Sequence, residues 1–202
     1  MANLDPVTFY VDFSSPYAYL MARDLTHLCQ RHDRELRWHP FLLGAVFKRD
    51  GNTPTVLRPE RQGYTQRELA RSARRKGLRF NTPPQFPFNS IDAVRAYWWL
   101  AERSPRRAQH LAAALLDAAW LDGLDLSARD VVVAVAARFD IEGAELRAAL
   151  DHPETKALAH RKVDQALATG LFGAPWVTVG DEPFWGCDRL DDIGHWLECG
   201  GW

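Results

Sequence analysis

Cysteine is scarce. Only Cys29, Cys187 and Cys199 occur in 202 residues, and no two of them have Cys-x-x-Cys or metal-ligand spacing. Exchange of disulfides by a paired thiol site is therefore excluded, no metal site is expected, and the odd number argues against a disulfide framework. Cys29 and Cys199 are expected as small buried apolar residues. An excess of one charge is also lacking. Lys and Arg number 25 against 26 Asp and Glu, a net charge of −1, which removes the electrostatic case for nucleic acid or an acidic membrane surface. No apolar run approaches the roughly 20 residues of a membrane span. Asp5 and Asp12 interrupt the N-terminal segment where a signal peptide needs apolar residues, so the expected location is cytoplasmic. Repeats and low-complexity stretches are absent. With 47% hydrophobic and 25% charged residues, the chain has the composition of a globular protein, one domain or one domain with a large insertion.

Against these absences, Ser15-Pro16-Tyr17-Ala18 stands out. Val7 to Phe13 alternates and is rich in β-branched and aromatic residues, as a strand requires. Apolar residues then recur at helical spacing from Tyr17 to Gln30, with Pro16 at the first helical position, where its missing N–H is no loss. Ser15 thus occupies a helix N-terminus, whose unsatisfied N–H groups and partial positive charge stabilise an anion. A hydroxyl there cannot exchange disulfides, but it can donate a hydrogen bond to the thiolate of another molecule. Ser followed by Pro is equally an ordinary N-cap signal. Ser14 is the competing hydroxyl, although only Ser15 directly precedes the proline.

The second strand is read at Leu36 to Leu42, ended by Gly44. Tyr64 to Gly77 predicts a surface helix with Leu69 and Ala73 as its apolar side and Arg71 to Lys76 as a solvated basic face. Asn81 to Asn89 is a proline-rich loop, and Ile91 to Leu100 resumes helical periodicity. Ser104-Pro105 opens the next helix, Ser127 with Asp130 signals an N-cap before Val131, and Pro153 and Gly170 bracket a helix over Glu154 to Thr169. Trp98 and Trp120 are expected in the core, while Trp99 is open between core packing and ligand contact. At the far end, Gly173-Ala174-Pro175 leads into Trp176 to Val179, a turn at Gly180-Asp181, Glu182 to Gly186, and a helix beginning near Asp188.

Five stretches taken together, DFSSPYAYL (Asp12 to Leu20), FLLGAVFKRDGNTP (Phe41 to Pro54), FPFNS (Phe86 to Ser90), GLFGAP (Gly170 to Pro175) and EPFWGCDRL (Glu182 to Leu190), resemble the kappa-class glutathione transferase group. The group lies within the DsbA-like thioredoxin-fold proteins. The resemblance implies an α/β fold, a thioredoxin-like βαβ…ββα domain formed by residues 1–44 and 166–202, with a large all-helical insertion over 45–165. It also implies a cis peptide before Pro175, glutathione as cofactor, and a homodimer. The stretches FPFNS and PFWG look closer to the isomerase branch of the group. The implied activity is glutathione-dependent cis/trans isomerisation of an aromatic substrate, 2-hydroxychromene-2-carboxylate, by reversible thiolate addition.

By the same resemblance Ser15 is the activating hydroxyl, and the cysteinyl backbone of glutathione pairs with the edge at Ala174 beside Pro175. Cys187 and Asp188 receive the γ-glutamyl end, Asp188 taking the ammonium, though a helix N-cap is its bland alternative. Asn52 and Arg61 correspond to positions near the glycyl end or a catalytic water, and Arg61 stands where relatives often carry lysine. Lys48, or alternatively Arg95, is the candidate for the substrate carboxylate. Asn89 and Trp99 complete the candidate substrate site. Two other readings remain open, a kappa-like transferase or peroxidase and a non-catalytic module that binds a partner at the proline edge.

Overall fold

The computed structural model describes residues 5–202. Its sheet has the order β2-β1-β3-β4, with β1 at Val7–Val11, β2 at Leu36–Pro40, β3 at Trp176–Val179 and β4 at Glu182–Trp185. β2 lies parallel to β1 because helix α1, Pro16–Arg31, crosses between them; β3 and β4 form an antiparallel pair against β1. Gly180 turns the β3–β4 hairpin at φ +59°, a conformation glycine adopts without steric cost. Between β2 and β3 run α2 (Leu43–Asp50), α3 (Pro59–Arg75), α4 (Ile91–Ala101), α5 (Pro105–Trp120), α6 (Arg129–Ala137), α7 (Gly143–Asp151) and α8 (Pro153–Ala168). Helix α9, Leu190–Cys199, closes the chain. The architecture is the mixed α/β, thioredoxin-like arrangement with helices inserted between its halves.

Alternation on β1 explains the layering. Val7, Phe9 and Val11 are fully buried and belong to one continuous core that includes α1 and the inner faces of α4 and α5. Tyr10, on the opposite face, packs against a smaller cluster of Phe41, Val46, Val163, Ala166, Leu171 and Trp176. Two core tryptophans pin backbone next to the strand ends: Trp120 Nε1 donates to Phe13 O at 2.9 Å and Trp98 Nε1 to Pro40 O at 2.9 Å. Both are buried. A buried indole needs such an acceptor, and the acceptors used here fix the backbone at the ends of β1 and β2.

Several local expectations change. The chain turns helical at Leu43, straight after β2, so Gly44 lies inside α2 rather than ending a strand. Only Val46 of α2 is buried, and at eight residues the helix is too short for its apolar spacing to stand out. Helix α7 was not foreseen; Glu142 caps it by accepting from Glu145 N–H at 2.7 Å, a residue type that is not a usual cap signal. Ser127 does not cap α6. Its N–H donates to Asp125 Oδ1 at 2.8 Å, and the cap position falls on Ala128 without a side-chain bond. Cys29 is buried, but Cys199 is exposed at the end of α9, 3.6 Å from His195 Nδ1. Helix α9 starts at Leu190 with Arg189 in the cap position, two residues later than expected.

Candidate functional site

Ser15 is the N-cap of α1, with φ −95° and ψ 110°. Its Oγ accepts from Ala18 N–H at 3.3 Å and donates to Ala174 O at 3.1 Å. That second bond joins the start of α1 to the Ala174–Pro175 peptide, which is cis. The side chain is 97% shielded, so its single proton is held among protein atoms on most sides. Rotated away from Ala174, the hydroxyl donates elsewhere while still accepting from Ala18.

Two clefts meet beside this bond. One, of about 210 Å³, is mostly apolar: Leu43 and Phe47 come from α2, Phe86 and Pro87 from the proline-rich loop, Phe172 from the loop before β3, with Ser14, Ser15 and Thr65 as its hydroxyls. The other, of about 540 Å³, is charged, with Glu68, Ser72 and Arg75 of α3 facing Cys187, Asp188 and Arg189. Tyr17, Ala174 and Trp185 border both. A ligand with an ionic end and a sulfur or apolar end fits this sequence of surfaces.

Electrostatics differ sharply between the clefts. Asp188 Oδ2 accepts from Arg189 at 2.8 Å, which holds the Asp188 carboxyl below the usual carboxylate range. It is ionised at neutral pH. Burial raises the Cys187 thiol, and the neighbouring Asp188 charge raises it further; burial pushes Cys29 up to about 12. Neither is poised as a thiolate nucleophile. Burial also raises Tyr17, with smaller contributions from Cys187, Glu68 and Tyr64. A neutral phenol therefore stands where the clefts join.

The mouth of the apolar cleft is aromatic. Phe172 and Trp185 are each about half exposed and meet edge to face, 4.7 Å between centroids. Gly173 makes this possible, since a Cβ there would sit 2.3 Å from Trp185 Nε1.

Of the residues singled out in the sequence, Ser15 and Ala174 line the apolar cleft, and Ala174, Pro175, Cys187 and Asp188 line the charged one. Lys48, Asn52 and Arg61 are exposed and line neither, although nearby Phe47, Pro54 and Thr65 do. Asn89 is engaged locally, its Oδ1 accepting from Ile91 N–H at 3.0 Å at the start of α4. Arg95 and Trp99 fall elsewhere. Arg95 is paired with Asp92 at 3.3 Å, and Trp99 lies under the Arg103 guanidinium, 4.5 Å from the ring centroid. Trp99 lines a separate open cleft of about 820 Å³ that includes residues of α4, α7 and α8. Helical spacing alone could not separate these two from the Ser15 side, because the apolar face of α4 spans both the core and that second cleft.

Sequence reading missed Tyr17, Thr65, Phe172, Trp185 and, most of all, Asp12. Asp12 directly follows β1 and is 2% exposed. Its Oδ1 accepts from Ser14 N–H at 2.8 Å and from Ser90 Oγ at 2.7 Å, and its Oδ2 accepts from Leu43 N–H at 2.6 Å. Burial raises its pKa against the opposing pull of these bonds. An acid directly after an apolar strand was the available signal.

Comparison with known proteins agrees with this architecture. The chain is similar to 2-hydroxychromene-2-carboxylate isomerase of Pseudomonas putida, 27% identical over 91% of this chain and 90% of that protein. It is also similar to glutathione S-transferase kappa 2 of Caenorhabditis elegans, 25% identical over 98% of this chain and 93% of that protein. Among solved structures, a 2-hydroxychromene-2-carboxylate isomerase superimposes with a TM-score of 0.87 at 22% identity, covering 95% of this chain and 94% of that one. The model of the DSBA-like thioredoxin domain matches residues 6–198. Strand order, the helical block between the two halves of the sheet and a match over nearly the whole length therefore point the same way: the chain belongs to the DsbA-like thioredoxin-domain family.

Proposed function

We propose that this protein is a glutathione-dependent cis/trans isomerase of the 2-hydroxychromene-2-carboxylate type, acting in the breakdown of naphthalene-like aromatics. The observation that carries this is the Ser15 hydroxyl beside the junction of a charged cleft and an apolar one. Glutathione, when bound, supplies a thiolate that can add to a conjugated carbon and leave again, so that a double bond rotates as a single one.

The residues of the chain divide the work. Asp188, ionised beside Arg189, suits the γ-glutamyl ammonium, and Ala174 beside the cis proline suits the peptide backbone. Ser15 donates to the sulfur, and the N-terminus of α1 adds its partial positive charge. Phe47, Phe86, Phe172 and Trp185 receive the aromatic body and exclude water. No lysine or arginine lines that cleft; Lys48, next in sequence to Phe47, is the proposed rim partner of the substrate carboxylate. Asn52 and Arg61, on the segments flanking Pro54, are the proposed contacts of the glycyl end.

A kappa-like transferase is the second reading, supported by the similarity to the nematode protein. The fate of the thiol separates the two. Free thiol is titrated before and after complete conversion of 2-hydroxychromene-2-carboxylate. Unchanged thiol with full conversion supports the isomerase, and stoichiometric loss supports the transferase. Absence of glutathione binding at millimolar concentration would leave only a non-catalytic binding module.

A further inference from the structure

Of the segments that wall the apolar cleft, three are tied together by one side chain. Ser14 to Tyr17 form the first, Leu43 and Phe47 of α2 the second, Phe86 and Pro87 the third. Asp12 receives the Ser14 N–H from the first, the Leu43 N–H from the second, and the Ser90 hydroxyl from the end of the third. Its backbone carbonyl also accepts from Ser15 N–H at 2.9 Å.

The local wiring shows that these bonds are not incidental. Leu42, in the N-cap position of α2, offers no capping side chain, so the Leu43 N–H, one of the orphan donors of a helix start, is satisfied by Asp12 from 31 residues away. Ser90 is in the N-cap position of α4 and makes no cap bond to its own helix; its hydroxyl goes to Asp12 instead. Among the described residues no cation pairs with Asp12, so three hydrogen bonds stand in for a counter-charge. A buried carboxylate is costly where such donors are missing. Its preferred geometry therefore fixes three donors, and with them three chain segments, about one point.

We propose that Asp12 is a positioning residue, holding the Ser15 loop, the start of α2 and the proline-rich loop in one arrangement that places the Ser15 hydroxyl at the cleft junction. The step from loop placement to thiolate stabilisation rests on the glutathione reading above. The coupling of the three walls does not.

Asp12→Asn can keep an acceptor toward one side but turns an NH2 group toward a donor on the other, so it loses at least one of the three bonds. Ser90→Ala removes a single donor and leaves the acid in place. Amide hydrogen exchange of full-length wild type and both variants reads the coupling directly. In Ser90→Ala, exchange is expected to accelerate by about tenfold not only near Ser90 but also at Ser14–Tyr17 and Leu43–Phe47, to which the Ser90 hydroxyl is joined through Asp12, while β1 and β3 keep their protection. Acceleration confined to residues 86–91 overturns the proposal, even if Asp12→Asn fails to fold.

A second readout links the latch to the chemistry. Ultraviolet titration of the thiolate of bound glutathione is expected to show its pKa raised by about one unit in Ser90→Ala and Asp12→Asn, with binding changed by less than about threefold. A thiol pKa equal to wild type in variants whose three walls do loosen overturns the placement of Ser15. If wild type binds no glutathione, the functional reading fails, and the exchange pattern still decides the role of Asp12.

Discussion

Replacing Ser15 by alanine tests the chemistry at its centre. The variant loses two hydrogen bonds, the acceptance from Ala18 N–H and the donation to Ala174 O. Loss of an N-cap costs about 1 kcal/mol, and an acceptor left without its donor costs about 1–3 kcal/mol. A domain with about 5–15 kcal/mol of stability withstands that. The thiolate is more sensitive. A hydrogen bond to a charged group contributes about 1.5–3 kcal/mol, and about 1.4 kcal/mol corresponds to one pKa unit, so the pKa of the bound thiol should rise by about 1–2 units. If that pKa lies above neutral in the wild type, the thiolate fraction at pH 7 falls by about 10–100-fold, or by about half as much if it lies at neutral, and turnover falls with it. If it lies well below neutral, the loss appears only as a shift of the pH–rate profile to higher pH by the same 1–2 units. Two measurements are needed: thiolate absorbance of the bound cofactor against pH, and turnover against pH at saturating glutathione. Ser14→Ala is the control; it keeps the Ser14 N–H bond to Asp12 and should change both far less. A bound-thiol pKa and a pH profile unmoved in Ser15→Ala, with the fold intact, would remove Ser15 from the mechanism.

Asp188→Asn should raise the glutathione requirement by about three- to tenfold with little change in maximal rate; the contact is the same in ground and transition states, and its solvent exposure places it near the low end for charged bonds. Because Arg189 lowers the Asp188 pKa, this contribution is present throughout neutral pH and fades only in acid below the usual carboxylate range; a loss of binding near neutrality that disappears in Asp188→Asn would contradict it. Gly173→Ala puts a Cβ where the Trp185 indole lies, so tryptophan fluorescence should change and the KM for the aromatic substrate should rise by about tenfold; an unchanged KM would take Trp185 out of substrate binding. Joint replacement of Cys29, Cys187 and Cys199 by small residues should leave activity within about tenfold, since burial raises the Cys29 and Cys187 thiols and Cys199 lines neither cleft. Loss of activity in Cys187→Ala with glutathione binding intact would require a thiol mechanism instead.

The parts of this site that the sequence made legible are those in which one local rule acts on neighbouring residues. Ser15 and Pro16 form such a pair: a cap, then a residue that fits only the first turn. The edge at Ala174 was legible for a different reason, through its resemblance to a family pattern. Helices α2 and α7 were lost although apolar residues recur at helical spacing in both, Leu43, Val46 and Phe47 in one and Leu146, Ala149 and Leu150 in the other; at eight and nine residues they span too few turns for the period to stand out. Lys48, Asn52 and Arg61 were named through the resemblance and not through any local rule. Their positions flank cleft residues, yet the lining falls to Phe47, Pro54 and Thr65.

Asp12 shows a deeper limit. A lone acid in an apolar strand reads as an interruption, because its partners lie two, 31 and 78 positions away, and no periodicity links such separations. Its meaning comes from what its partners fail to do. Ser90 occupies a cap position without capping, and α2 begins without a capping side chain of its own. Taken one at a time, these are weak helix starts. Joined through one carboxylate they become a single device, in which α2 receives a cap it lacks and the Ser90 hydroxyl at the start of α4 serves Asp12 in place of its own helix. Such an arrangement fixes the relative placement of segments far apart in sequence more tightly than independent caps could, because an independent cap restrains only its own turn. The apolar cleft takes part of its lining from those same segments, so on the proposal above the geometry at Ser15 depends on a residue that a substrate in the cleft need never touch.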